Sequence, residues 1–112
     1  MSISSAADLP LDRESRRLVF VLAAAPGGSA VATVAGLTRA ALVLGHQTRA
    51  FLMGDGVLSA SAIAQSGAET VVCDADWRWR RGGDGMEPGV TRGSLRDLAI
   101  WCQEADKVLV FS

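Results

Sequence analysis

The sequence has no tyrosine, one histidine and two cysteines, and these shortages exclude several kinds of site. A single histidine and the distant cysteines Cys73 and Cys102 do not give the ligand spacing of a zinc site. Two cysteines are also too few for a disulfide framework in a chain of 112 residues, which favours a reducing compartment. We therefore expect a cytoplasmic protein without metal or other cofactor.

The sequence also lacks a strong charge and a long apolar run. Its formal net charge of -1 gives no reason to expect binding to nucleic acid or to an anionic membrane surface. Arg39, Gly45 and Gly54 interrupt the apolar stretches, so none approaches the roughly 20 residues of a membrane span. No apolar segment of a signal peptide is present before Arg17. We expect neither a nucleic-acid nor a membrane partner.

Apolar runs and turn residues alternate along the chain in the manner of an α/β protein. The continuous run LVFVLA at residues 18–23 is typical of a central parallel strand buried on both faces. Further strands are predicted at residues 47–53, 69–73 and 107–111, and helices at residues 30–44, 57–65 and 95–105. This order predicts a three-layer α/β sandwich with a mostly parallel sheet. We expect a single domain over residues 17–112, preceded by a flexible polar leader at residues 1–16.

The first predicted helix has little polar surface. Ser29 is a good N-cap and Gly45 a candidate C-cap. Between them, Thr33, Thr38 and Arg39 are nearly the only polar side chains. A helix that is apolar almost all round must be covered on more than one side. In so small a domain another subunit could supply this second cover, so we expect a homo-oligomer.

Cys73 is the candidate reactive residue. It stands at the end of the predicted strand 69–73, and reactive groups of parallel sheets gather at the carboxyl ends of strands. Arginines at positions 78, 80 and 81 would favour its thiolate, whereas Asp74 and Asp76 would oppose it. Alternatively, Cys73 is an inert buried residue, as free cysteines commonly are. Cys102 is expected to pack on the apolar face of the last helix, with Leu95, Leu98 and Ala99.

Trp77 and Trp79 alternate with Arg78 and Arg80 in a segment, 74–81, that could be helix or loop. In an extended segment the two tryptophans would share one side and the arginines the other. Because tryptophan and arginine are enriched at protein interfaces, this segment could be a docking surface. Alternatively, the tryptophans cover the edge of the sheet and the arginines are solvated. Glycines and proline at residues 82–89 predict a mobile loop.

Pro26, Gly27 and Gly28 form a turn between a strand and a helix. The backbone N–H groups of such a turn could hold an anion near Cys73, although neither nucleotide-binding glycine pattern is present. A tight turn without a ligand is the alternative. His46 should lie at the opposite, amino-terminal edge of the sheet, so a Cys–His catalytic pair is not expected.

Four blocks of the sequence, in this order, resemble the DsrE/TusD family of sulfur-relay proteins. The first is the early strand with Gly27, Gly28 and the alanine-rich segment after them. The second comprises LGH at residues 44–46 and FLMGDGV at residues 51–57. The third is Cys73 followed by RRG at residues 80–82, with a spacing about one residue longer than in the sulfurtransferase branch. The last is EADKVLVF at residues 104–111.

The resemblance implies a flavodoxin-like fold, assembly into oligomers and sulfur carried as a cysteine persulfide. Cys73 would be the sulfur acceptor, with Arg78, Arg80 and Arg81 as electrostatic helpers and proteins that donate and accept sulfur as partners. A second hypothesis is a non-catalytic oligomeric or partner-binding module with the same fold. A third, weaker one is an anion- or nucleotide-binding domain that uses Gly27 and Gly28.

Overall fold

Five parallel strands form one sheet in the order β4-β3-β2-β1-β5. The computed structural model describes residues 15–82 and 85–112. The strands are β1 (Arg17–Leu22), β2 (Gln47–Leu52), β3 (Glu69–Cys73), β4 (Val90–Gly93) and β5 (Lys107–Phe111). The helices are α1 (Ala30–Val43), α2 (Ala60–Gln65), α3 (Asp74–Arg81) and α4 (Leu95–Glu104), and a 3-10 helix, Gly54–Ser59, precedes α2.

Helices cover both faces of the sheet, which confirms the predicted α/β sandwich. The larger core lies under α1, α2 and α3, where Val34, Ile63 and Trp77 pack on alternate residues of the inner strands. The smaller core lies under α4 and consists of Val19, Val21, Phe51, Val71 and Trp101. The apolar runs of β1, β2 and β3 follow from burial on both sides, as in other parallel sheets.

Helix α1 ends in a Schellman motif at Gly45, as the sequence suggested. The N–H of Gly45 donates to the Leu42 carbonyl at 3.0 Å, and the N–H of His46 donates to the Ala41 carbonyl at 3.0 Å. Gly45 has a φ of 85°, a conformation that glycine adopts without a steric penalty. At the other end Ser29 occupies the N-cap position, but its side chain makes no capping hydrogen bond.

The structure corrects several predictions for the middle of the chain. The predicted helix at residues 57–65 is divided, because its first residues belong to the 3-10 helix Gly54–Ser59 and the α-helix begins at Ala60. Segment 74–81 is a helix. Within the predicted loop at residues 82–89, positions 83 and 84 lie outside the described residues. A short strand that the sequence did not predict, β4, follows that segment.

The first described residues are tied to the turn after α1. The Ser15 hydroxyl donates to the Gly45 carbonyl at 3.0 Å, and the Arg16 N–H donates to His46 Nδ1 at 3.0 Å. These contacts lie just before the predicted domain boundary at residue 17. The rest of the predicted leader, residues 1–14, lies outside the described part of the chain. No helix among residues 15–82 and 85–112 is long and apolar enough to cross a membrane.

Candidate functional site

Cys73 lies where β3 ends and α3 begins. It is the last residue of the strand and the N-cap residue of the helix, with extended backbone angles. Its side chain is half-buried and packs on the α4 side of the sheet, in the group that includes Met53 and Leu98. Its partner in the register of β4 is Gly93, where a side chain would clash with Val71 and meet the Asp97 carboxylate.

The charges of α3 are arranged to stabilise an otherwise polar helix. Asp74 and Asp76 occupy its first turn, and Arg78, Arg80 and Arg81 its last, so each group lies at the end of the helix dipole that it complements. Two pairs also lie four residues apart, Asp74 with Arg78 at 2.8 Å and Asp76 with Arg80 at 3.4 Å. These pairings explain why a segment so rich in charge is helical.

The helical conformation of α3 separates its two tryptophans. Trp77 is completely buried in the larger core, and the Arg81 guanidinium lies 4.4 Å from its ring centroid. Trp79 is 83% exposed. The two tryptophans would share one side only in an extended segment. Because segment 74–81 is a helix, they do not. Trp77 therefore cannot belong to a docking surface, whereas Trp79 can.

Arg80 joins α3 to the segment that follows β2. Its Nε donates to Asp55 Oδ1 at 2.7 Å, and its Nη1 lies 3.4 Å from Asp76 Oδ1. The other Asp76 oxygen accepts a hydrogen bond of 2.7 Å from the N–H of Gly54. We call these groups (Asp55, Asp76, Arg80 and the Gly54 N–H) the Arg80 network. It fixes the start of α3, and hence Cys73, against the carboxyl end of β2.

The electrostatic environment of the Arg80 guanidinium is set mainly by the carboxylates of its network. The hydrogen bond that Arg80 donates to Asp55 is the main reason that the pKa of Arg80 is raised above its ordinary value, the charges of Asp55 and Asp76 add to the effect, and Cys73 contributes least. A raised pKa means that the cationic form is favoured in the folded protein. That contribution is present throughout the physiological range and is lost only in strong alkali, as the pH rises through the pKa of the guanidinium.

The other arginines near Cys73 have different neighbours. Arg78 is largely exposed and pairs with Asp74, which also lies 3.5 Å from Arg92. Arg81 stacks on the ring of Trp77 and lies 3.6 Å from Glu87. The predicted set of three helper arginines thus divides, with Arg80 the one that ties α3 to the turn after β2. Four arginines and four carboxylates take part in these pairs, so the surface around α3 is close to neutral.

Gly27 and Gly28 lie in the exposed turn after β1, at the same edge of the sheet as Cys73. Because β2 lies between β1 and β3, the two strand ends are about 10 Å apart across the sheet. A side chain added at either glycine would meet open space. His46 precedes β2 at the opposite edge, as expected. Among the described residues no group of three or more His, Cys, Asp or Glu side chains could hold a metal ion.

Cys102 is exposed, and the expectation that it packs in the core is wrong. Trp101 is the buried residue of α4, and its ring makes an edge contact with Phe51 at 6.3 Å between centroids. Leu95 and Ala99, which were expected to share the buried face with Cys102, are exposed too. Within the described part of the chain, α4 is the one helix that covers this side of the sheet, so the flanks of α4 are exposed.

Sequence reasoning missed the residues that position Cys73 from a distance. Asp55 and the Gly54 N–H come from the turn after β2, and no local pattern links that turn to α3. The glycine at position 56 was the one sign in the sequence that the turn after β2 packs closely against another segment. A Cβ atom at Gly56 would lie 2.1 Å from the Leu22 carbonyl oxygen, so only glycine lets this segment approach β1.

Comparison with solved structures relates this fold to a known one. The ychN protein from E. coli superposes with a TM-score of 0.73 at 21% sequence identity, over 88% of this chain and 100% of that chain. At this identity the likeness defines a fold and not an activity. No family model matches the sequence. No curated protein matches it either.

Proposed function

We propose that the protein is a small sulfur carrier of the DsrE type, with Cys73 as the residue that holds sulfur as a persulfide. The observation that carries the proposal is a partly exposed cysteine at the carboxyl end of an inner strand, at the point where helix α3 begins. The fold shared with ychN and the sequence blocks that resemble the DsrE/TusD family support it.

Sulfur transfer of this kind needs only a nucleophilic thiolate and access to it. The Cys73 thiolate attacks the outer sulfur of a donor persulfide, R–S–SH. The new S–S bond gives Cys73–S–SH, and the donor leaves as its thiolate. An acceptor thiolate then attacks the outer sulfur of Cys73–S–SH and regenerates the Cys73 thiolate. No external oxidant or reductant is consumed in either step.

The surroundings of Cys73 suit both steps. Cys73 stands at the N-terminus of α3, and helix N-termini are among the positions where reactive thiols occur. Exposed Trp79, on the helix that starts at Cys73, is of the residue type that anchors protein partners, so we assign it to docking of a donor or acceptor protein. Such a carrier would work in the reducing cytoplasm.

Mass spectrometry of the protein after incubation with a low-molecular-weight persulfide tests the proposal. The Cys102→Ser variant serves as the starting protein, because exposed Cys102 could also take up sulfur. We expect a mass gain of one sulfur atom, mapped to the Cys73 peptide and lost in Cys73→Ser. Absence of the gain on Cys73 would refute the carrier function.

A matched pair of arginine variants tests the role of Arg80. Arg80→Gln breaks the ion pairs that fix the start of α3, and with it Cys73, and should slow sulfur uptake several-fold. Arg78→Gln removes a charge from the same helix that is paired with Asp74 and exposed, so uptake should change little. Circular dichroism and the thermal midpoint would show that both variants are folded. Equal effects on uptake would contradict a specific role for Arg80.

A non-catalytic binding module with this fold is the second candidate. The observation in its favour is the balanced charge around α3, where all four arginines are committed to ion pairs with carboxylates. This alternative predicts a Cys73→Ser variant with unchanged partner binding and a wild-type protein that takes up no sulfur.

A further inference from the structure

Strand β5 forms an edge of the sheet that is open and apolar. It has a hydrogen-bonded neighbour, β1, on one side, and no strand among residues 15–82 and 85–112 pairs with its other side. Val108, Leu109 and Val110 are at least 39% exposed, and Val110 reaches 67%. The only charged residue of β5 is Lys107, at its start. Exposed edges without charge, proline or a bulge are templates for pairing with another strand.

The opposite edge differs from β5 in this respect. Strand β4 has four residues and carries Arg92, a charge of the kind that protects edge strands. The contrast indicates that the β4 edge is protected against pairing with another strand, whereas the β5 edge is open to such pairing.

An apolar groove runs beside β5 on the α1 side of the sheet. It has a volume of about 240 Å³ and is lined mainly by Leu18, Phe20, Leu37, Ala41, Leu44 and Leu109. Leu42, Val43 and Leu44 at the end of α1 are exposed as well, and Arg39 is the only charged residue of this helix. The exposed apolar surface therefore continues from the strand edge onto α1.

We propose that β5 pairs antiparallel with β5 of a second copy of the chain, so that two five-stranded sheets join into one. The backbone directions fit this arrangement. The Phe111 carbonyl accepts a hydrogen bond from the Ala23 N–H at 2.8 Å, so residues 107, 109 and 111 point their backbone groups toward β1. Val108 and Val110 therefore point theirs outward, where they can pair with another strand.

A two-fold axis at Leu109 makes the contact self-complementary. Val108 of one copy lies opposite Val110 of the other, and they exchange backbone hydrogen bonds. The two copies of Leu109 face each other as a non-hydrogen-bonded pair with Cα atoms about 4.5 Å apart. Lys107 lies opposite Phe111 of the other copy, so the one charged residue of the strand does not face itself. Leu109 of the second copy extends the apolar floor beside each groove.

A second copy accounts for this surface better than the other possible occupants. The pairing of β5 with itself matches aliphatic residues throughout and opposes no like charges. Residues 1–14 of the same chain contain four charged residues, Asp8, Asp12, Arg13 and Glu14, which do not match an uncharged edge. If those residues or a different protein were the occupant, the purified full-length chain would be a monomer.

The oligomeric state and a designed disulfide test the proposal together. Sedimentation equilibrium of the full chain at micromolar concentration should show a dimer or a multiple of it. Leu109→Lys removes two leucine contacts and opposes two ammonium groups, so it should raise the dimer dissociation constant about a hundredfold or more. Thr91→Lys, at the exposed centre of β4, is the matched control and should leave that constant unchanged.

The cross-link identifies the register. In a Cys73→Ser, Cys102→Ser background, Leu109→Cys should form a covalent dimer on mild oxidation, because its Cα spacing lies within the disulfide range. Thr91→Cys in the same background should stay monomeric under those conditions. A monomeric wild type, or a dimer that tolerates Leu109→Lys and does not cross-link through Leu109→Cys, would overturn the proposal. Neither result depends on sulfur transfer, so the test is independent of the proposed function.

Discussion

The two tryptophans of α3 differ so strongly in burial that their replacement by alanine should cause clearly different losses of stability. A fully buried tryptophan removes about 200 Å² from water. At about 25 cal/mol per Å² this burial stabilises the fold by up to about 5 kcal/mol. Trp77 is completely buried and also stacks on Arg81, so we expect Trp77→Ala to cost about 3–5 kcal/mol. Since domains of this size are stable by about 5–15 kcal/mol, the loss is a large fraction of the total.

Trp79, two residues further along the same helix, is the internal control. It is 83% exposed, and alanine is a better helix former than tryptophan. Trp79→Ala should therefore cost about 1 kcal/mol or less. Urea unfolding followed by circular dichroism measures both free energies of unfolding. If Trp77→Ala does not fold, Trp77→Phe should still lose more stability than Trp79→Phe.

The result that refutes this reasoning is a comparable loss for both variants. Such a result would mean that α3 does not present Trp77 to the core, and the position of Cys73 at the start of α3 would then be in error as well. The experiment thus checks the local framework of the site without any assay of function.

Two further predictions concern stability. Gly56→Ala should destabilise the protein by about 2 kcal/mol or more in the same urea assay, because the new Cβ would lie 2.1 Å from the Leu22 carbonyl oxygen. Gly36→Ala, in the middle of α1 with open space around it, should instead be neutral or stabilise by up to about 1 kcal/mol, and the reverse order would contradict the packing described. Thr38→Val should raise the thermal midpoint, because the buried Thr38 hydroxyl has no hydrogen-bond partner among the described residues. A lower midpoint would show that this hydroxyl is satisfied in solution.

The parts of the fold that follow from local sequence were predicted well. The bounds of β3 and β5 agree residue for residue with the apolar runs at 69–73 and 107–111. The last helix was predicted to begin at residue 95, and it does so after Ser94, whose side chain forms a capping box with Asp97. These features depend on residues within a few positions of one another, and the patterns that predict them are local in the same way.

The features that were missed depend on contacts between distant segments. The short strand β4 has one buried residue, Val90, so its pattern is too brief to identify a strand. Trp77 and Trp79 look alike in sequence, and only the docking of α3 against the core distinguishes them. The exposure of Cys102 follows from the number of helices on its side of the sheet, which no residue near it encodes.

Cys73 was correctly placed at a strand end, but its role could not be judged from neighbouring residues. Of the three arginines that follow it, the distinction of Arg80 rests on Asp55, which lies 25 positions away in the chain. Charge counts along the sequence cannot show which carboxylate takes which guanidinium. The candidate site was therefore predictable in location and not in its electrostatic connections.

The helices cover the two faces of the sheet to different extents. Helix α1 alone contributes four buried residues on one side, whereas Trp101 is the one buried residue of α4 on the other. The Cys73 side chain faces this thinner side. Lifting α4 would break few apolar contacts, so its amide protons should exchange with solvent well before those of α1. Local opening of this small helix, rather than denaturation of the whole domain, would then determine how often large reactants gain access to the sulfur of Cys73.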